Sequence, residues 1–277
     1  MKNNWLYKHR FLIARRIVQL TILGLYIAGT AYGWNILVGN LSSSKIFDVI
    51  PMADPYAVLQ MFAAGTMLAI DVLIGAALVV LFYSLIGGRA FCSWVCPMNM
   101  VTDLANWIRV KTGLHKDEWQ LRISRKTRYW ILGLSLVLSF LIAAPAFEFI
   151  SPISMLHRGL VFGMGFGWLA VLGVFLFDLF VTKNGWCGHL CPLGGFYSII
   201  SKPSAIRVKH DADKCTLCMN CKNVCPEKQV LWMVGKESVF VTSGECINCG
   251  RCIEVCNDDA LNFGLRFKPT KEVKNNA

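Results

Sequence analysis

Charge is what this sequence has least of: 16% of its 277 residues are Asp, Glu, Lys or Arg, against 55% apolar ones. Globular domains average about 25% charged residues and roughly 45–50% apolar ones. The shortage excludes a disordered chain and argues against an ordinary soluble one. Acidic residues are the scarcer sign, 17 against 28 basic, for a formal net charge of +11. Haem-type or paired intramembrane cofactor ligands are not evident either. The 12 cysteines do not indicate a disulfide-knit secreted miniprotein, because such frameworks are usually shorter than about 100 residues.

What is abundant is uncharged apolar sequence, and it comes in runs. Residues 17–44 carry no charge, residues 55–88 are interrupted only by Asp71, and the uncharged runs 129–147 and 159–177 follow. Each suffices for a hydrocarbon core about 30 Å thick, which takes roughly 20 helical residues, so four transmembrane helices are expected. Residues 72–88 as a helix rise about 26 Å, which sets Asp71 near one membrane face. Basic residues cluster in 1–16 and 89–128, whereas 45–54 holds only Lys45 and 148–158 only Arg158. Positive loops stay inside, so both termini and the middle connection are expected in the cytoplasm of a multi-pass inner-membrane protein. The basic excess is a topology signal, which argues against nucleic-acid binding. Arg15-Arg16 before an apolar run resembles an export signal, but the run is longer than a signal core and three more follow. Met98, Val101, Leu104, Trp107 and Ile108 predict an amphipathic helix, lying either on the inner membrane surface or on a soluble domain.

The expected architecture is thus an α-helical membrane domain over residues 1–201, a cytoplasmic α+β dicluster ferredoxin-like domain over 202–265 and a polar tail over 266–277. The second domain rests on cysteine spacing. Cys215, Cys218, Cys221 and Cys225 with Pro226 spell C-x2-C-x2-C-x3-C-P, and Cys246, Cys249, Cys252 and Cys256 repeat the spacing. Two-residue gaps wrap three thiolates round one face of an iron–sulfur cube, and the fourth cysteine serves the other cube. One 4Fe-4S cluster is expected on Cys215, Cys218, Cys221 and Cys256, the other on Cys246, Cys249, Cys252 and Cys225. Zinc sites and disulfides are the alternatives, the latter opposed by a reducing cytoplasm. A hairpin from Val230 to Val241, turning near Gly235-Lys236, is expected between the motifs.

The remaining cysteines form Cys92-x3-Cys96-Pro97 and Cys187-x3-Cys191-Pro192, each just past an even-numbered apolar run. The chain is therefore a pseudo-repeat of two hairpins. Three-residue gaps set two thiols on one helical face, and convergence of the pairs would make a four-thiol site. Metal or cluster ligation, a redox-active dithiol and plain buried thiols all remain open, as does His189 as a fifth ligand or an interfacial polar residue.

The C-terminal motifs resemble bacterial dicluster ferredoxins, with Asn257 where that family usually has a second proline. The joint pattern of four runs, two C-x3-C-P pairs and this domain resembles the NapH family over essentially the whole chain. NosR, MauN and CcoG are related. The resemblance implies an electron-transfer component of a quinol dehydrogenase that oxidises membrane quinol and delivers electrons towards periplasmic nitrate reductase. A NapG-type periplasmic iron–sulfur protein and a NapC-type cytochrome are the implied partners. A maturation or redox-sensing factor, or a subunit serving another periplasmic dehydrogenase, are the alternatives. Quinol oxidation needs proton acceptors, for which Asp71, Glu148 and His157 are the candidates, with Asp178 near the inner end of the fourth run.

Overall fold

The computed structural model describes residues 5–114, 123–163 and 165–266, so most of the expected polar tail lies outside the described residues. A helical turn α1 (Trp5–Lys8) leads into α2 (Arg10–Tyr32), the one helix among those described that is long and apolar enough to cross a membrane by itself. The first N–H groups of a helix have no intrahelical acceptor. At α2 the far end of the chain supplies one: the Glu254 carboxylate accepts from the N–H of Phe11 at 2.7 Å and of Leu12 at 3.0 Å. Its charge also suits the positive end of the helix dipole.

The first apolar run does not continue as helix. Gly33 closes α2 at φ 68°, and the chain then forms an antiparallel sheet of β1 (Leu37–Gly39), β2 (Ser43–Ile46) and β3 (Ile50–Ala53). The second run also divides, into α3 (Pro55–Ala63) and α4 (Ile70–Ile86). Asp54 caps α3 by accepting from Tyr56 N–H at 3.0 Å, Pro55 takes the first helical position, and Gly65 at φ 74° breaks the path to α4. The second half of the chain repeats the device. Past α5 (Ala90–Trp94), α6 (Met98–Lys111) and α7 (Thr127–Ile142), the turn α8 (Ala146–Ile150) precedes α9 (Pro152–Phe162), capped by Ser151. Gly163 at φ 113° then separates α9 from α10 (Gly167–Leu176), which ends in a π-helical turn at Phe177–Val181. A second π-helical turn, Trp186–Leu190, leads into α11 (Pro192–Ile200). The halves interlock, with α2 packed on α9 and α7 packed on α3.

The amphipathic helix of the middle connection is α6, and its stripe splits. Met98 turns inward with Thr102 and Ala105, packing towards α10 and its π-helical extension, while Leu104, Trp107 and Val110 face outward.

The C-terminal unit has a two-stranded antiparallel sheet, β4 (Ile206–His210) with β5 (Leu261–Leu265), and two short helices, α12 (Asn220–Val224) and α13 (Arg251–Glu254). The expected hairpin at Val230–Val241 does not form. Residues 228–231 make a 3-10 turn, Gly235 turns the chain at φ 77°, and Phe240 makes a single bridge to Lys209. A strand would send alternate side chains outward. Here Val230, Leu231, Met233 and Val234 are all buried, so this segment wraps the core beneath the cysteines.

Ion pairs lock the two units together. Asp103 of α6 meets Arg16 of α2, Arg251 of α13 at 2.5 Å and the fully buried Arg15 at 3.9 Å. Removing the partner of a buried charge costs about 3–5 kcal/mol. Asp103→Ala is expected to lower the thermal midpoint in detergent and to expose the 202–266 unit to protease. An unchanged midpoint would show that the clamp adds nothing.

Candidate functional site

Each C-terminal motif contributes three cysteines to a turn and one to its neighbour's cavity. Cys215, Cys218, Cys221 and Cys256 line one cavity beside His210 and Asp258, and Cys225, Cys246, Cys249 and Cys252 line the other. The turns share an unusual backbone. Leu217 and Met219 flank Cys218 at φ 60° and 57°, and Asn248 and Gly250 flank Cys249 at φ 49° and 75°. Left-handed backbone costs a non-glycine residue about 1–2 kcal/mol, and such strain concentrates where a ligand is clamped. Used twice at equivalent places, it curls two short loops around their sulfurs.

The donor sets fit iron–sulfur clusters on two counts. Burial first, then the charges of Cys249, Cys246 and Cys225, push the Cys252 thiol well above its ordinary range. Cys246 is pushed up to about 11, chiefly by burial. Four crowded thiols resist ionising together until cationic iron compensates them. Secondly, the surroundings of the second cavity await an anion. Arg15 is fully buried, its Nη1 and Nη2 make no hydrogen bond among the described residues, and Cys249 is among the charges acting on it.

Of the C-x3-C-P cysteines, Cys96 and Cys191 share one core cluster, with Cys92 packed against it. Cys187 feels the charges of Cys191, Cys96 and Cys92, and burial is the main cause that pushes its thiol well up. Cys96 and Cys191 are both buried, and each precedes a proline that starts a helix. Burial is the main cause that pushes both thiols up, Cys191 to about 12, while the N–H groups of Met98 and Asn99 act on Cys96, and those of Leu193 and Gly194 on Cys191, in the opposite sense. Two helix N-termini thus aim N–H groups at two sulfurs, an arrangement that favours thiolate once a cation is present. His189 faces Arg125 and Arg128 and is buried with Nδ1 unbonded among the described residues.

This thiol layer is joined directly to the second cavity. Ser93 Oγ donates to Ile247 O at 2.6 Å and Trp94 Nε1 to Asn248 O at 3.1 Å, so residues inside one C-x3-C pair hold those between Cys246 and Cys249. Arg89 donates to Cys187 O at 3.0 Å and pairs with Glu227 at 2.7 Å, two residues beyond Cys225. Glu227 also pairs with Arg128 at 3.0 Å and with Arg125. At the other extreme, Cys218 and Leu217 of the first cavity are exposed.

The three sequence candidates for proton transfer, and Asp178 with them, are not brought together. Asp71 is exposed on the first turn of α4. Glu148 accepts from Ser42 at 2.6 Å and pairs with Arg158 at 2.8 Å. Asp178 is buried and accepts from Trp186 N–H at 2.9 Å, bracing the two π-helical turns. His157 is 2% exposed and lies edge-on to Tyr26 with ring centroids 4.6 Å apart. The carboxylate missed from sequence is Asp54, which stood at the margin of an apolar run; its signal was Asp54-Pro55 as a helix start.

Two cysteine cradles, one mostly buried and one opening to solvent at Cys218, and a four-thiol layer on a helical body define an iron–sulfur electron-transfer protein of ferredoxin type. Comparison bears this out. A family model described as a 4Fe-4S dicluster domain matches residues 207–257. One described as a 4Fe-4S binding domain matches twice, at 68–115 and 161–210, and each match holds one C-x3-C-P pair. The ferredoxin-type protein NapH of Haemophilus influenzae is 46% identical over 98% of this chain and 95% of its own. NapH of Escherichia coli is 43% identical over 96% and 93%. The methylamine utilization ferredoxin-type protein MauN of Methylorubrum extorquens is 44% identical over 93% and 90%. The chain belongs to this NapH/MauN family of ferredoxin-type proteins. No solved structure matches it.

Burial lowers the His157 pKa to about 4, with Arg158 adding to the effect. A histidine held neutral contributes stability that is full above its unfolded pKa near 6.5 and is lost as pH falls through the folded value. The loss approaches about 3 kcal/mol at acid pH. His157→Phe is expected to flatten the fall in thermal midpoint between pH 6.5 and 4; a slope identical to wild type would contradict the assignment.

Proposed function

We propose that this chain is the membrane-bound electron-transfer subunit of a quinol dehydrogenase, taking electrons from membrane quinol towards periplasmic nitrate reductase. The observation that carries the reading is the direct join between the thiol layer and the second cysteine cradle, which gives electrons a fixed route from the helical body into the ferredoxin domain. The two 4Fe-4S clusters, when bound, supply one-electron couples. Cys246, Cys249, Cys252 and Cys225 would hold the cluster that faces the helical body, with Arg15, Arg89 and Arg251 balancing its charge. Cys215, Cys218, Cys221 and Cys256 would hold the outward one. Cys92, Cys96, Cys187 and Cys191 are proposed as ligands of a further metal or cluster, supported by the N–H groups aimed at Cys96 and Cys191.

Four spans are part of the proposal. The helices Ile70–Ile86, Thr127–Ile142 and the Gly167–Val181 segment are apolar but short. Their outward faces nonetheless carry Leu78, Leu81 and Phe82, then Leu134, Phe140 and Leu141, then Leu169, Leu172 and Leu176, a girdle that lipid would cover. Leu104, Trp107 and Val110 of α6 would lie at the inner interface. The positive connections then keep the N-terminus, the thiol layer and the ferredoxin domain on the cytoplasmic side of the inner membrane. NapG-type and NapC-type proteins are the proposed partners. The MauN relative, of similar identity, supports a second reading in which a methylamine-oxidising system receives the electrons.

Anaerobic addition of decylubiquinol to the purified protein is expected to reduce its clusters, seen as new EPR signals of two interacting 4Fe-4S centres. No reduction, with the periplasmic partner present, would overturn the dehydrogenase reading in favour of a maturation role.

A further inference from the structure

Between the outer sheet and the thiol layer lies a chamber of about 220 Å³ that the electron route above does not use. Its lining includes Tyr26 of α2, Ser44 of β2, Asp54 at the start of α3, Tyr83 of α4, Phe91 of α5 and Tyr197 of α11. One wall is aromatic and the rest of the lining is mostly aliphatic. Phe91 stacks on Tyr197 at 4.9 Å and 19°, and Tyr83 stands edge-on to both. The polar groups gather on one side: the Tyr26 hydroxyl pairs with Ser44, and Asp54, whose carboxylate accepts the capping bond of α3, lies on the lining beside them. The volume is below the about 300 Å³ of a drug-sized site, room for one substituted ring. Phe91 and Val95 of the wall directly precede Cys92 and Cys96.

We propose that this chamber binds the head group of a membrane quinol, with Asp54 as the acceptor of its protons. The proposal rests on the quinol reading above. An acyl chain has no use for a carboxylate and two hydroxyls in its slot; a ring bearing two O–H groups does. In the oxidation both O–H bonds break. The two protons pass one at a time to ionised Asp54, which is half-buried and gives up the first to water before it takes the second. The two electrons would leave singly to two oxidised iron–sulfur clusters, when bound, across the Phe91–Val95 wall.

Burial, with the charge of Glu148 adding, lifts Asp54 to about 7, so it ionises as pH rises through that value. The titratable groups facing it are Glu148, Tyr56 on its own helix, and Tyr26, Tyr83 and Tyr197 from α2, α4 and α11. None of these phenols changes charge near neutrality by its ordinary pKa.

The test uses the full-length protein with its clusters in detergent. A short-chain azidobenzoquinone is photolysed on it and the labelled peptides are mapped. Label is expected on peptides holding Tyr26, Ser44–Asp54 or Tyr83, displaced by excess decylubiquinone and not by phosphatidylcholine. Val79→Trp, which fills the chamber, should weaken labelling at least about tenfold with the cluster EPR signals unchanged. Asp54→Asn should keep the label, slow decylubiquinol-driven cluster reduction at least about tenfold and abolish its rise with pH through 7. Label elsewhere, or equal displacement by phospholipid, overturns the site. A wild-type rate and pH profile in Asp54→Asn overturns the proton role. Label position decides the site, whereas cluster reduction in the unaltered protein decides the reading beneath it.

Discussion

Glu227 is the point on which the arrangement turns. Its carboxylate is buried, and it is met by Arg89 and Arg128, which are themselves almost fully buried, and by Arg125. Ions taken out of water cost several kcal/mol each, and only close pairing offsets that. Arg89 stands three residues before Cys92 and Glu227 two residues after Cys225, so the pairing fixes a thiol of the helical body relative to a ligand of the second cradle. Such a pair contributes specificity more than stability. An apolar substitute would pack as well without setting this register, a property that matters where electron transfer depends on distance.

Around that point the same local solutions recur. Each half of the helical body starts a short helix with a capping Asp54 or Ser151 followed by proline, breaks it at a left-handed glycine, and ends an apolar helix in a C-x3-C-P pair. The recurrence explains why one family model matches both halves. It also leaves the chamber of the first half between the outer connection and the thiols, with Asp54 on its lining.

The cysteine motifs made the ferredoxin cradles legible in the sequence, because spacing and ligand geometry are tied to each other. The crossed sets of four meet in space as the motif rule requires. Helix boundaries were less legible. Hydropathy marks residues 17–44 and 55–88 as continuous runs, but it is blind to Gly33, Gly65 and the Asp54-Pro55 start, which divide them into helix, sheet and half-helix. The hairpin expected at Val230–Val241 failed for a related reason: Val230, Leu231, Met233 and Val234 are all core with Trp232 alone outward among them, so the side chains do not alternate as a strand's would. The proton candidates were chosen as ionisable residues within or beside the runs. Side-chain contacts then distinguish them, leaving Asp71 in the open, Glu148 bound to Arg158 and His157 against Tyr26.

The central claim is that electrons enter the ferredoxin domain through the cluster next to the thiol layer and pass from it to the outward one. The direct measurement is the rate at which decylubiquinol reduces the surviving cluster when one is removed, followed by freeze-quench EPR. With the outward cluster removed by Cys221→Ala, the inner cluster should be reduced at the wild-type rate. With the inner cluster removed by Cys252→Ala, the outward one should stay oxidised. Reduction of the outward cluster at an undiminished rate in Cys252→Ala would contradict the account.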